Sequence, residues 1–150
     1  MNVIIFGPPG AGKGTQAQNL VKKLNLYQLS TGDLLRSEIK KKTEIGKKIE
    51  QIIAQGDFVT DDIVNELLKK FITNYNYRNK IIFDGYPRNI NQAKTLEVML
   101  NSDNQSINFI LFLKVTRETV EKRILGRIIC EKCNRTMNEY FNKEEIDKHE

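Results

Sequence analysis

The chain has 150 residues, 39% hydrophobic and 29% charged, with 24 Lys+Arg against 19 Asp+Glu and a net charge of +5. This is the composition of about one folded globular domain and excludes a disordered chain, a collagen or a disulfide-dense mini-protein. A single histidine, His149, argues against catalysis built round a central imidazole, and two cysteines cannot form a disulfide framework, so the expected compartment is the reducing cytoplasm.

Val3–Phe6 is a continuous apolar run, too short for a signal-peptide core and stopped by Gly7, and it reads as a buried strand. Beyond a Gly-rich turn, Ala17, Leu20, Val21 and Leu24 form a helical stripe. Tyr27–Leu29 is a short second strand, after which Ser30 or Thr31 caps a helix. Lysines 40–42, 47 and 48 alternate with Glu38, Glu44 and Glu50 as on a solvated helix face, without the interleaved aromatics of a nucleic-acid surface. Ile45, Ile49, Ile52 and Ile53 predict a further helix, ended by Gly56.

Thr60 then caps a helix with Asp61 and Asp62 in its first turn and Ile63, Val64, Leu67, Leu68 and Phe71 on its buried face. Lys80–Asp84 is a strand with a terminal carboxylate. Ala93, Leu96 and Leu100 mark a helix, Phe109–Leu113 is the most hydrophobic strand, and Val120, Ile124 and Ile128 predict a last helix. From Glu131 the chain turns polar. No run approaches the roughly 20 apolar residues of a membrane span. Alternating strands and helices predict an α/β fold with a parallel sheet covered on both faces.

The strongest signal is Gly7-Pro8-Pro9-Gly10-Ala11-Gly12-Lys13-Gly14-Thr15, which follows a strand and opens an amphipathic helix, as a P-loop requires. Glycines let main-chain N–H groups turn inward around phosphate oxygens, the helix N-terminus adds its dipole, and Lys13 adds a point charge. Gly14 stands where the generic pattern has Ser or Thr, and Thr15 comes one residue later.

The loop, with Ser30-Thr31-Gly32-Asp33-Leu34-Leu35-Arg36, Gly56-Asp57-Phe58-Val59, Asp84-Gly85-Tyr86-Pro87-Arg88, Gln92, Arg123 with Arg127, and Cys130 with Cys133, resembles the bacterial adenylate kinases over nearly the whole chain. The resemblance implies a P-loop NTPase fold divided as 1–29 core with the P-loop, 30–59 helical insert for the nucleoside monophosphate, 60–125 core, and 126–150 the start of an incomplete lid. It implies the reaction ATP + AMP ⇌ 2 ADP by in-line attack with Mg²⁺, in a monomer that binds neither nucleic acid nor membrane. The alternatives are a UMP or CMP kinase, or a truncated nucleotide-binding module with little catalysis.

On the same basis, Lys13, Asp84, Arg88 and Arg127 are the catalytic set. Gly10, Ala11, Gly12, Lys13, Gly14, Thr15, Arg123, Arg127, Thr136 and Met137 are expected on ATP. Thr31, Arg36, Asp57, Phe58, Val59, Gly85, Tyr86, Pro87, Arg88 and Gln92 are expected on AMP. Asp84 either holds water on Mg²⁺ or caps the next turn. Arg88 is aimed by the fixed φ of Pro87, and a guanidinium suits a phosphate. Arg123 and Arg127, at i and i+4, are expected on one helix face. No general base is needed, because the attacking phosphate oxygen is already anionic.

Cys130 and Cys133 form half of a structural zinc site, a redox pair, or two free thiols, with His149, Asp147 and Glu150 as the remaining partners for a metal. A parallel design also expects one more strand after the helix carrying Arg123 and Arg127. The resemblance therefore implies that the chain is the N-terminal part of a longer kinase.

Overall fold

A computed structural model gives the fold and describes residues 1–133 and 136–149, with Thr136 described by its backbone alone. The expectations for the Thr136 side chain and for Glu150 lie outside the described residues. The chain divides into two compact units, Met1–Phe6 with Gly14–Leu111, and Gly7–Lys13 with Phe112–Glu150.

The elements in chain order are β1 (Asn2–Phe6), α1 (Lys13–Leu24), β2 (Tyr27–Ser30), α2 (Thr31–Lys40), α3 (Glu44–Ala54), α4 (Asp61–Ile72), a 3₁₀ turn (Tyr75–Tyr77), β3 (Ile81–Asp84), α5 (Ile90–Ser102), β4 (Ile107–Phe112), α6 (Arg117–Leu125), β5 (Arg127–Ile129), β6 (Thr136–Asn138) and α7 (Lys143–Asp147). The main sheet runs β2-β3-β1-β4, with β3 parallel to both β1 and β2. Parallel register places Ser30 and Ile5 beside Asp84, so the C-terminal ends of three strands share one edge. This makes the protein an α/β fold with a four-stranded parallel sheet.

In the first unit, Ile4, Leu29, Ile81 and Phe83 of the sheet pack with Leu68, Ile72, Leu96 and Leu100 of α4 and α5. Burying such side chains is worth roughly 1.5–3 kcal/mol each. A polar clasp closes the sheet's opposite end: buried Asn2 donates to Gln105 Oε1 (3.2 Å) and accepts from Ile81 N (3.1 Å), and Gln105 donates to Ile72 O (2.8 Å).

The local signals act largely as their chemistry dictates. Ser30 caps α2, accepting from Asp33 N. Gly56 adopts φ +81° beyond α3, with Gly56 N bonded to Ile53 O and Asp57 N to Ile52 O, a Schellman closure. Thr60 occupies the N-cap of α4 but makes no side-chain capping bond, so Asp61 and Asp62 supply the compensation there.

Four expectations are corrected. The helix expected to run through Ile128 is α6, which stops at Leu125; Gly126 is its C-cap, and Arg127 and Ile128 lie in β5, paired antiparallel with β6. An ideal Cβ on Gly126 would stand 2.4 Å from the Tyr140 ring, so glycine lets the chain turn into this hairpin, and Arg123 and Arg127 do not share a helix face. The polar tail beyond Glu131 is not featureless but forms β6 and α7. The apolar strand β4 is an edge strand and is exposed, Phe109 by 56% and Ile110 by 63%. On α5 the buried stripe runs through Gln92, Leu96 and Leu100, four residues apart, and leaves Ala93 exposed.

Candidate active site

In the second unit the Gly-rich loop is closed by Ala11 N donating to Pro8 O at 3.1 Å. Gly10 (φ +77°) and Gly12 (φ +91°) take the left-handed conformation that side chains resist. At Gly10 a Cβ would also press on Ile124, at 3.0 Å from Cγ1. Lys13, the first residue of α1, folds back so that Nζ donates to Gly7 O (2.9 Å) and Pro8 O (3.0 Å). A lysine ammonium folded over a glycine loop with positive-φ residues is an arrangement suited to an anion.

Arg123 of α6 donates Nη1 to Ala11 O at 2.9 Å and lies over the Phe141 ring, 5.8 Å from its centroid. Phe141 thus backs the guanidinium while Ala11 fixes one of its edges. Arg127 is exposed on β5, opposite Asn138, and Met137 of β6 is buried.

Also in this unit, the sulfurs of Cys130 and Cys133 and a ring nitrogen of His149 lie within 4.8 Å of one another. Cys133 Sγ and His149 Nε2 are 3.4 Å apart. The Cys133 main-chain N–H, followed by contacts with His149 and the Lys132 N–H, pulls the Cys130 thiol down to about 7. Two thiols and an imidazole, one sulfur already drawn toward thiolate, fit three corners of a tetrahedral zinc site.

In the first unit, Asp84 ends β3. Its Oδ2 accepts from Gln28 Nε2 at 2.7 Å, and Gln28 Oε1 accepts from Gln18 Nε2 at 2.6 Å. Among the described residues Asp84 forms no ion pair. It does not spend its charge on a cation of the chain, and an ideal Cβ on Gly14 would lie 4.0 Å from Oδ2. This oriented, uncompensated carboxylate fits a hydrated Mg²⁺.

Thr31, Gly85, Arg88 and Gln92 come together beyond the strand ends. Thr31 Oγ1 donates to Gly85 O (3.3 Å), and Arg88 Nε donates to the same carbonyl (2.8 Å). Gly85 has φ +81°, and a Cβ there would stand 3.3 Å from Thr31 Oγ1. Gln92 Oε1 accepts from the Arg88 main-chain N–H at 2.6 Å. Arg36 pairs with Asp33 (Nη2–Oδ1 2.5 Å) on the exposed side of α2 and holds the Asp33 carboxyl below its usual range.

Of the remaining expected residues, Phe58 is 96% exposed, Asp57 is exposed and Val59 half-buried. Tyr86 and Pro87 are buried, and the Tyr86–Pro87 peptide is cis. The Tyr86 hydroxyl bonds to Asn65 Oδ1 (2.6 Å) and Gln92 O (3.2 Å). Burial, then the charge of Asp61, pushes its pKa up to about 12. The sequence reading missed Gln28, Gln18 and Asn65. Their only signal was polarity on a short strand or helix, which does not say where the amides point.

A family profile described as adenylate kinase matches residues 5–150. An adenylate kinase of Pelagibacter ubique is 62% identical over 149 residues, which is 99% of this chain and 70% of that protein. Adenylate kinases of Mycoplasma mycoides and Thermosipho africanus are 45% and 41% identical over 138 residues, 92% of this chain and 64% of each relative. The chain therefore spans about two thirds of the length of these relatives. The glycine cradle, the carboxylate at the end of β3 and identity sustained along the chain lead to one assignment: this protein belongs to the adenylate kinase family.

Proposed function

We propose that the chain carries the nucleotide-binding part of a phosphotransferase that converts ATP + AMP to 2 ADP with Mg²⁺. The observation that supports this most directly is Lys13 Nζ held over the Gly7 and Pro8 carbonyls of a loop whose Gly10 and Gly12 take positive φ. Gly10 to Thr15, with Arg123, Arg127, Met137 and Thr136, take ATP. Thr31, Arg36, Asp57, Phe58, Val59, Gly85, Tyr86, Pro87, Arg88 and Gln92 take AMP, the two buried residues by shaping the wall rather than by polar contact.

In this proposal Asp84 orients water on Mg²⁺, which supplies charge neutralisation for the phosphates. Lys13, Arg88 and Arg127 align the phosphates and neutralise developing charge, the whole of what phosphoryl transfer asks of a protein. The reacting oxygen is anionic without help, in keeping with a single histidine far along the sequence.

We also propose that residues 30–59 form the monophosphate insert between core segments 1–29 and 60–125, and that 126–150 begin a lid. Cys130, Cys133 and His149 hold structural Zn²⁺ there. No helix among the described residues is long and apolar enough to cross a membrane. The two free cysteines support the cytoplasm as the compartment, the lack of aromatics among the lysines speaks against nucleic acid, and the family resemblance supports a monomer.

The test is a coupled ADP assay with Mg-ATP against AMP, CMP and UMP. ADP formation with AMP as the preferred acceptor is expected. Preference for CMP or UMP overturns the acceptor assignment, and nucleotide binding with no ADP formed by this chain selects the alternative of a nucleotide-binding module with little catalysis.

A further inference from the structure

Gln92 is a buried polar residue at the third position of α5, where the Asn89 side chain accepts from its main-chain N–H at 2.8 Å. Its own amide is held at both ends. Oε1 accepts from Arg88 N at 2.6 Å, and Nε2 donates to Asp61 Oδ1 at 2.7 Å. Arg88 N–H can only donate, and an ionised carboxylate can only accept. Turning the amide over would set oxygen against the carboxylate and NH₂ against N–H, two repulsive contacts in place of two hydrogen bonds. The orientation of the Gln92 amide is therefore fixed by chemistry. Behind it, the Tyr86 hydroxyl lies 3.2 Å from the Gln92 carbonyl and 2.6 Å from Asn65, so α4 holds both the side chain and the backbone.

A glutamine amide with these two bonds made keeps one N–H and one oxygen lone pair for a ligand. A free amide presents them in either order, because rotation exchanges O and NH₂. Adenine offers an exocyclic N–H donor beside a ring-nitrogen acceptor. The six-oxo purines, guanine and hypoxanthine, offer the reverse, an oxygen acceptor beside a ring N–H donor. An amide that can turn over suits both; a pinned amide suits one.

We propose that Asp61 is the specificity-determining residue of the monophosphate site: it locks the Gln92 amide in the order that accepts a six-amino purine and rejects a six-oxo purine. The inference deepens the reading of Gln92 as a base-contacting residue and rests on it. Asp61 acts through Gln92 and is a positioning residue. Its place in the first turn of α4, which any acid would suit, conceals the role from sequence.

The experiment is isothermal titration of AMP and of IMP, which differs from AMP at this edge, onto the full chain and its Asp61→Asn and Gln92→Ala variants. Asparagine keeps the size and can turn its amide to donate, removing one of the two repulsions that block reversal. Asp61→Asn is expected to narrow the AMP-over-IMP affinity ratio by about tenfold, the worth of one hydrogen bond, with AMP itself weakened only about threefold. A purely structural role of Asp61 would weaken both ligands together and leave the ratio alone.

Gln92→Ala separates the two levels of the argument. A ratio unchanged in Gln92→Ala removes base contact by Gln92 altogether. A ratio lost in Gln92→Ala but kept in Asp61→Asn removes the role of Asp61 alone. The unmodified chain gives an independent readout: the Gln92 side-chain amide protons, identified by their loss in Gln92→Ala, are expected to exchange slowly with solvent because Nε2 donates to Asp61. A rapidly exchanging amide there overturns the lock without any variant of Asp61.

Discussion

Gln28 on β2 reaches across to β3 and donates its amide to Asp84 Oδ2 at 2.7 Å, with Gln18 of α1 holding the other end of that amide at 2.6 Å. Parallel register makes the bond possible, since Ser30 pairs with Asp84 and Gln28 with Ile82. The carboxylate is therefore oriented by the chain's own amides. Gln28→Leu removes the orienting bond and leaves the charge. The Mg²⁺ concentration for half-maximal activity is expected to rise roughly three- to tenfold, the net worth of about one ordinary hydrogen bond. A magnesium titration of turnover checks this; an unchanged midpoint shows that Asp84 needs no orientation.

Lys13 and Arg88 each donate to main-chain carbonyls. Lys13→Ala or Arg88→Ala, in an otherwise complete enzyme, is expected to reduce turnover by on the order of 10³. The melting temperature should move little, because neither cation takes part in an ion pair among the described residues. Near-normal turnover in a coupled ADP assay would remove that residue from the mechanism.

Gly46 lies in the first turn of α3 against the end of α2. A Cβ there would stand 2.0 Å from Glu38 O and 2.5 Å from its carbonyl carbon. Those are backbone atoms and cannot step aside, so α2 and α3 must separate. Gly46→Ala is expected to cost about 1–3 kcal/mol despite its better helix propensity. Chemical denaturation measures the loss, and AMP affinity should fall with it.

Tyr86 carries a pKa raised to about 12, chiefly by burial and then by the charge of Asp61. Between roughly pH 10, where an unfolded tyrosine ionises, and the folded value, the folded chain holds a proton that the unfolded chain has released. Stability from this group is therefore complete below pH 10 and declines as pH rises toward 12. In Tyr86→Phe the alkaline decline is expected to be shallower, although Asn65 loses a partner at a cost of about 1 kcal/mol at neutral pH. Urea melts from pH 8 to 11 compare the slopes; parallel curves would exclude Tyr86 as their source.

Zinc is expected to bind with a stoichiometry of one per chain, through Cys130, Cys133 and His149. Because ligand binding here is coupled to folding, chelation should loosen the β5–β6 hairpin first. His149→Ala should weaken zinc on the order of tenfold or more. Chromophore-detected zinc release measures both; release unaffected by His149→Ala assigns the metal to the thiols alone.

Local chemistry made much of this protein legible. Glycine and lysine at residues 10–13 predict an anion cradle because amide access and positive φ are properties of the residues themselves. Gly56 ends its helix by the same kind of rule. The resemblance supplied the names of the site residues, and Asp84 and Arg88 stand at the end of β3 and in the turn beyond it. The four-residue spacing of Val120, Ile124 and Ile128 carried α6 too far, because the clash that makes Gly126 a turning point comes from Tyr140, fourteen residues on in sequence.

Residue types along the chain thus determined the strand-loop-helix cradle, the order of the elements as far as α6 and the charges available. Tertiary structure decided which amides those charges meet. That Gln28 aims Asp84, that Asp61 and Arg88 pin Gln92, that Gly46 must be glycine and that β4 is an exposed edge all depend on partners distant in sequence. Hydrogen bonds act over about 3 Å, a scale on which only the assembled fold selects the neighbours.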